Sequence, residues 1–587
     1  EYAGGPGTHG RGWGFPPAAP ARRPPALKAI ITCYSTDDRF KDDIHFMNGC
    51  LLNDNLWWGS IMMAYQARPQ DPEITGEGWR GAWEKRLDDL PFFPAIWAEH
   101  QSYDDYWKHG SVQEDYSAIT CPVLVVGAWA DSYTNSVPRL LENLTVPSRG
   151  IIGPWGHVYP HDGAPGPAIG FLQEALRWWD RWLKGADTGV EDDPDYRAYL
   201  MDGLRPAAWY AERPGRWVVE AEGATSHIPM QTLHLTDQGL SDAPGPLDRL
   251  VRSPHHCGMA AGEYCAIWLG PEMPGDQRCD DALSACFDGE TLAADTDILG
   301  APVLHLRLRA DRPQAQIAVR LNHVHPDGAA LRITYGVLNL THRDGSADPQ
   351  PLEPGKTYDI AVKLDHIAYR VPKGHRLRVA VSSAYWPLIW PGPETAGLTL
   401  EGGRLDLPVR ATAQGDECSF PPPEAETPWQ TRPLREENHI RRIETDMVSG
   451  AITLVIEDDY DSEFQYKHGP IASLQGLAGG HGVLYIGSFS KVMLPALRLG
   501  YLVVPKALAG QASYIKSATT GESPILVQAA VADFISEGHF GRHIRRMRLN
   551  YDHKRQEFIA IIKRRLSQCE IVAQHAGMHL VISWQAP

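Results

Sequence analysis

"CPVLVVGAWAD" (121–131) and "RGIIGPWGH" (149–157) decide how the first part of this chain folds. Val123 to Val126 is an apolar run bounded by Pro122 and Gly127, the length and texture of a strand covered on both faces. The run passes through small residues to an acid, Asp131. The second stretch repeats the plan, with Gly150 to Ile152 leading to His157. Between them "VPRLLENL" (137–144) has a helical pattern, and "LKAIITCYS" (27–35) reads as a further buried strand. "AIGFLQEALRWWDRWLKG" (168–185) spaces its apolar residues at helical intervals and ends at Gly185. Strand, helix, strand, helix predicts a parallel α/β sheet.

An acid after one strand and a histidine after the next follow the Ser, Asp, His order of an α/β-hydrolase triad. In that chemistry the carboxylate fixes the imidazole tautomer and stabilises the imidazolium, while the imidazole takes the serine proton. A solvated loop aspartate and a turn histidine would give the same spacing, so both readings stay open on spacing alone. No G-x-S-x-G occurs in the chain; "GLSDA" (239–243), in a Gly/Pro-rich stretch, comes nearest.

Outward from this core the texture changes twice. Residues 1–25 are rich in Gly, Pro, Ala and Arg without a period and read as irregular. From about 190 to 455 the period becomes two: Leu304, Leu306 and Leu308 alternate with His305, Arg307 and Arg309. Ile317, Val319 and Leu321 repeat it, as do Tyr358, Ile360, Val362 and Leu364, then Leu377, Val379 and Val381. Such segments between Pro- and Gly-rich turns predict an antiparallel sandwich or jelly roll. Beyond about 459 the pattern returns to mixed α/β, with long helices expected over 523–540 and 542–566.

The stretches "CYSTDDRFKDDIHFMNGCLLNDNLWWGS", "YWKHGSVQEDYSAITCPVLVVGAWADSYTN", "GPWGHVYPHDGAPGPAIGFLQEALRWWDRWLKG" and "SAYWPLIWPGP" closely resemble the CocE/NonD hydrolases, relatives of cocaine esterase and the X-prolyl dipeptidyl peptidases. The likeness runs from about Pro24 to about Asp458. It implies an α/β-hydrolase domain over 26–190, with a helical cap insertion about 45–115, and a jelly-roll β-sandwich over 191–457. It also implies serine-dependent acyl transfer on esters or peptide-like amides with no cofactor, and matches Asp131 and His157 to the triad acid and base. The family's nucleophile lies in a Gly-x-Ser-[Tyr/Trp]-x-Gly elbow shortly before "PPALKAI"; here that region reads "GTHGRGWGF", and no serine occurs from Glu1 to Tyr34. Without the hydroxyl no acyl-enzyme forms. The expectation is an incomplete hydrolase domain, inactive as written, whose opening is the elbow read in a shifted frame. Trp386 and Trp390 would either face the catalytic cleft or serve as core aromatics.

The last segment carries different chemistry. In "SFSKVMLPALRLGY" (488–501), Ser488 and Ser490 offer hydroxyl donors to a phosphate, and Arg498, seven residues past Lys491, a bidentate guanidinium. Asp458, 33 residues before Lys491, would face a pyridine nitrogen, and Tyr460 a phenolic oxygen. "EDDYDSEFQY", "PIASLQGLAG", "LYIGSFSKVMLPALRLGYLVVP" and "ADFISEGHFGRHIRRMRLNYDHKR" resemble the MocR/PdxR-type regulators, which join a winged helix to a fold-type-I, class I/II aminotransferase domain. The resemblance implies pyridoxal 5'-phosphate at Lys491, with Asp458 the pyridinium partner, Tyr460 the ring-oxygen partner, and Ser488, Ser490 and Arg498 the phosphate contacts. Residues 458–587 are expected to be a partial large domain, the winged helix and the small domain lying outside this chain. Both families share "EDD" at 457–459, so the segment reads as a join there, a chimera.

Composition narrows the remaining classes. At 587 residues the chain exceeds one core. A formal net charge of −17 argues against a nucleic-acid surface. With the winged helix expected to be absent, no nucleic-acid partner is expected; a homodimer remains open. Nine cysteines, an odd number with no C-x-x-C, argue against a disulfide framework or a zinc site; His255-His256-Cys257 supplies ligand types without a site spacing. No apolar run reaches membrane-spanning length, no signal peptide is visible, and a cytoplasmic location is expected.

Overall fold

The structure, a computed structural model, describes residues 22–68, 70, 72–221, 223–267, 270–412, 415–424, 440–448, 452–457, 485–488, 500–503, 525–565, 569–572 and 581–584. The chain divides into two compact units, residues 1–62 with 92–426, and residues 63–91 with 427–587.

In the first unit, strands β1 (Ile30–Cys33), β2 (Val123–Ala128), β3 (Ser148–Gly153) and β4 (Tyr196–Asp202) lie side by side and parallel. All six residues of β2 are buried, which is why its sequence is apolar without alternation. The helix Ser136–Asn143 covers one face, with Val137 and Leu140 at 1% exposure. Two glycines let it approach: a Cβ on Gly127 would meet Val137 Cγ2 at 2.5 Å, and one on Gly150 would meet Leu141 Cδ1 at 2.5 Å. The helix Phe171–Lys184 ends on Gly185 at φ +71°, the left-handed stop its sequence predicts.

Beyond β4 the sheet does not end at residue 190. β4 pairs antiparallel with β5 (Gly215–Glu220), and Met201 pairs parallel with Tyr369. The two sheets of the unit also include β6 (Ala285–Asp288), β7 (Thr296–Gly300), β8 (Val303–Ala310), β9 (Gln316–Val324), β10 (Ala330–Asn339), β11 (Thr357–Lys363), β12 (Ile367–Val371), β13 (Arg376–Ser382) and β14 (Leu398–Arg410). The large sheet runs β1-β2-β3-β4-β12-β7-β14-β8-β11, and a four-stranded antiparallel sheet runs β6-β13-β9-β10. β8 alternates as read: Leu304, Leu306 and Leu308 are buried between partly exposed polar residues. β9 does not. Arg320, Asn322 and His323 are fully buried, because β9 lies between β10 and β13 with both faces covered. Arg320 Nη2 meets this demand by pairing with Asp281 Oδ1 at 3.1 Å and donating to Ser284 Oγ at 2.7 Å.

In the second unit, Ile440–Thr445 pairs antiparallel with Ile452–Glu457, Tyr485–Ser488 with Gly500–Val503, and Cys569–Val572 with Val581–Trp584. The helices Ile525–Ser536 and His539–Arg565 match the two long helical patterns, separated at Gly538, whose φ is +70°. Among the described residues no helix is long and apolar enough to cross a membrane.

Candidate active site

The loops that leave β2 and β3 are laced together. Trp129 N donates to Gly153 O at 2.8 Å, and Ala130 N to Trp155 O at 3.0 Å. This brings the residues after the two strand ends face to face. His157 N donates to Ala266 O at 2.7 Å, and a Cβ on the neighbouring Gly156 would meet that carbonyl at 2.6 Å. Glycine is therefore required for the loop to reach its anchor.

His157 Nδ1 lies 3.0 Å from Asp131 Oδ2. The Asp131 side chain is fully buried and that of His157 is 11% exposed. The other carboxylate oxygen, Oδ1, accepts from Tyr133 N at 3.1 Å, Ser132 Oγ at 3.2 Å and Cys265 Sγ at 3.7 Å. Contacts on both oxygens hold the carboxylate fixed toward the ring. Burial works against an imidazolium at His157, yet the Asp131 charge beside it holds the pKa well above the ordinary histidine value. Burial pushes the Cys265 thiol up, and Asp131 adds to the effect. Cys265 is thus a neutral donor to the carboxylate, not a thiolate nucleophile. Tyr34, at φ +52°, sets its ring 5.2 Å from the imidazole, and Tyr133 lies at 6.0 Å. Beside the pair opens a cavity lined by Asp131, Glu263, Tyr264, Glu272, Arg332 and Asp365, among others.

Asp131 and His157, read apart in the sequence, are therefore together in the fold. Nothing in "GEYCAIW" marks Cys265 in the sequence; only the fold brings it to the acid. Trp386 and Trp390 pack on each other at 5.2 Å and do not line the cavity. His255 shares a hydrogen bond with Thr395, and Cys257 Sγ lies 3.8 Å from Asp280 O, so they do not converge on an ion. Asp458, Tyr460, Ser490, Lys491 and Arg498 lie outside the described residues, as does the stretch 1–21. The backbone of Ser488 ends its strand, opposite Gly500.

Three family models match separate stretches of the chain. The X-Pro dipeptidyl-peptidase (S15 family) model matches residues 7–159, and the X-Pro dipeptidyl-peptidase C-terminal non-catalytic domain matches 188–441. Aminotransferase class I and II matches 450–587. Cocaine esterase of Rhodococcus sp. (strain MB1 Bresler) is 23% identical over 421 residues, 63% of this chain and 71% of the esterase. Solved structures share the hydrolase fold. A CocE/NonD family hydrolase from Staphylococcus aureus has a TM-score of 0.50 at 14% identity, covering 67% of this chain and 69% of that one. An α-amino acid ester hydrolase has a TM-score of 0.50 at 18% identity, covering 67% and 74%.

The solved structures share an α/β-hydrolase fold with this chain, and the CocE/NonD hydrolases and cocaine esterase are what its first two matched regions resemble. The particular chain resembles the S15 X-Pro dipeptidyl peptidases over its first two matched regions and the class I and II aminotransferases over its last.

The aminotransferase-like part has its own relatives. The probable rhizopine catabolism regulatory protein MocR of Rhizobium meliloti is 42% identical over 128 residues, 22% of this chain and 26% of the regulator. The HTH-type transcriptional regulator YhdI of Bacillus subtilis (strain 168) is 38% identical over 135 residues, 22% and 28%. The chain spans about a quarter of the length of these regulators. They overturn the expectation that nucleic acid is excluded as a partner. The physical reason is that a net charge of −17 sums the whole chain and says nothing of one segment. Arg542, Arg545, Arg546 and Arg548, for example, all lie on the helix His539–Arg565.

Proposed function

We propose that Asp131 and His157 are the acid and base of a serine-type acyl hydrolase acting on ester or peptide-like amide carbonyls, and that the chain as written does not turn such substrates over. The observation that carries the reading is the buried 3.0 Å contact between His157 Nδ1 and Asp131 Oδ2. In the neutral ring, with Nδ1–H donated to the carboxylate, the proton-accepting nitrogen is Nε2. In acyl transfer that atom takes the proton of an attacking hydroxyl and returns it to the leaving group. The attacking group is what this chain lacks, since no serine occurs among residues 1–34. Removal of a nucleophile leaves only a small residual acceleration from binding and polarisation. The full chain is therefore expected to hydrolyse p-nitrophenyl acetate no faster than His157→Ala. A clear rate that falls in His157→Ala would overturn the inactivity and leave the acid–base assignment standing.

A second reading rests on the 42% identity to MocR. The donor set of Lys491, Asp458, Tyr460, Ser488, Ser490 and Arg498 suits pyridoxal 5'-phosphate: an amine for covalent attachment, an acid for the ring nitrogen, and hydroxyls with a guanidinium for the phosphate. When bound, the cofactor supplies an electron sink. On this reading Asp458 keeps the ring nitrogen protonated and Arg498 fixes the phosphate. Added cofactor should give a visible absorbance that Lys491→Ala abolishes; the same spectrum in the variant would contradict the assignment. We read residues 26–190 as the hydrolase part, 191–457 as a jelly roll and 458–587 as a partial aminotransferase domain, joined at 457–459; sequencing the coding DNA through both the opening and the join tests this.

A further inference from the structure

Three histidines outside the catalytic cleft converge where the two sheets of the first unit meet. His323 lies near the end of β9, His325 follows that strand, and His375 immediately precedes β13, its neighbour. The register places His323 opposite Leu377 and Val324 opposite Arg376, which draws the three side chains to one end of the four-stranded sheet. His323 is fully buried, His325 is 9% exposed, and His375 is half-buried. One ring nitrogen from each lies within 4.8 Å of the other two. His323 Nε2 is 2.6 Å from His375 Nδ1, and the rings of His323 and His325 stack at 4.3 Å.

The surroundings orient these rings. His323 Nδ1 is 2.8 Å from the Tyr369 hydroxyl. His325 Nε2 donates to Leu204 O at 3.0 Å, which leaves its Nδ1 with the lone pair. A ring held by a carbonyl through one nitrogen, with the other bare, is the arrangement of a metal-ligating histidine. The backbone also makes room: a Cβ on Gly203 would meet His323 Cε1 at 2.7 Å. The nearest charges, Arg205 and Asp327, pair with each other at 2.8 Å and largely cancel.

We propose that His323 Nε2, His325 Nδ1 and His375 Nδ1 form a binding site for a divalent first-row transition metal, zinc above all, with water completing the shell on the half-exposed side. Three imidazoles without a carboxylate favour zinc, copper or nickel over magnesium or calcium. Metal–nitrogen bonds of roughly 2.0–2.1 Å need the His323 and His375 nitrogens farther apart than now, and His375, the least buried, is free to yield. His323 keeps its proton on Nδ1, donated to the Tyr369 oxygen, and the proton that His375 Nδ1 shares with His323 Nε2 moves through solvent to His375 Nε2, which frees both facing lone pairs for the ion. The ion would clip together the segment after β4, the β9–β10 turn and the approach to β13, stabilising the fold by mass action.

The test uses the full chain, stripped with EDTA, titrated with cobalt(II) and competed with zinc. One equivalent of cobalt should give a saturable visible band, bleached by zinc, and zinc should raise the thermal midpoint. His325→Ala and His375→Ala should each weaken binding by at least about 100-fold, with midpoints in EDTA matching the parent to show that both fold. Cys265→Ser should keep the band, because Asp131, His157 and Cys265 form a separate cluster of ligand types. Absence of a saturable band in the parent, or its survival in both histidine variants, would overturn the site. So would loss in Cys265→Ser with retention in His375→Ala.

Discussion

At Asp131 and His157 two opposing effects are balanced. Burial disfavours the imidazolium and the aspartate favours it, with the aspartate prevailing. Removing the charge while keeping the shape should reverse the result. In Asp131→Asn the His157 pKa is expected to fall, since the main effect opposing burial is then removed and only the contact with Cys265 still opposes it. NMR of labelled histidine, assigned with His157→Ala, reads this directly; an unchanged pKa would mean the pair is not coupled. Asp131 and His157 could be read from the sequence because each follows an apolar run of strand length. Cys265 could not, since it reaches the carboxylate through a loop whose course no local pattern records. The His323, His325 and His375 cluster left only a faint trace, the H-x-H of "NHVHPDG" (322–328), with the third ligand supplied by the strand pairing.

The strands and helices were readable where burial followed a simple period. β2 and β8 match their patterns because one is covered on both faces and the other on alternate positions. β9 misleads, since its buried Arg320 and Asn322 look like a solvent face until their partners Asp280 and Asp281 are in place. The helix Ser136–Asn143 depends on similar ties. Arg139 Nε lies 3.0 Å from Asp37 Oδ2, Arg139 Nη2 lies 2.9 Å from Asp42 Oδ1, and Asp37 has no exposed side-chain surface. Arg139→Ala would strand buried acids and should cost about 3–5 kcal/mol in chemical denaturation. Gly150→Ala, driven into Leu141, should cost about 1–3 kcal/mol. A neutral effect in either would show that the helix is not held against the sheet as described.

In the molecule taken whole, the two-family character was readable because motif density is high on either side of residues 457–459. The continuity of the sheet through β4 was not, because Met201 and Tyr369 are far apart in sequence and nothing local announces their pairing. Stability should carry the mark of the buried acids along this sheet. Asp365, which accepts from Asn135 Nδ2 at 2.7 Å, is pushed up to about 7 by burial. Its folded pKa exceeds the unfolded value of about 3.9, so its contribution is complete below that value and is lost as pH rises through 7. Asp365→Asn should flatten the stability profile between about pH 4 and 7; an unchanged slope would place the titration elsewhere.

The proposal that Asp131 and His157 stand as acid and base without a serine nucleophile can be tested by labelling the full chain with a fluorophosphonate probe and locating any adduct by mass spectrometry. No stoichiometric adduct is expected on any serine. A one-to-one adduct on a single serine that disappears in His157→Ala would contradict it and identify the nucleophile.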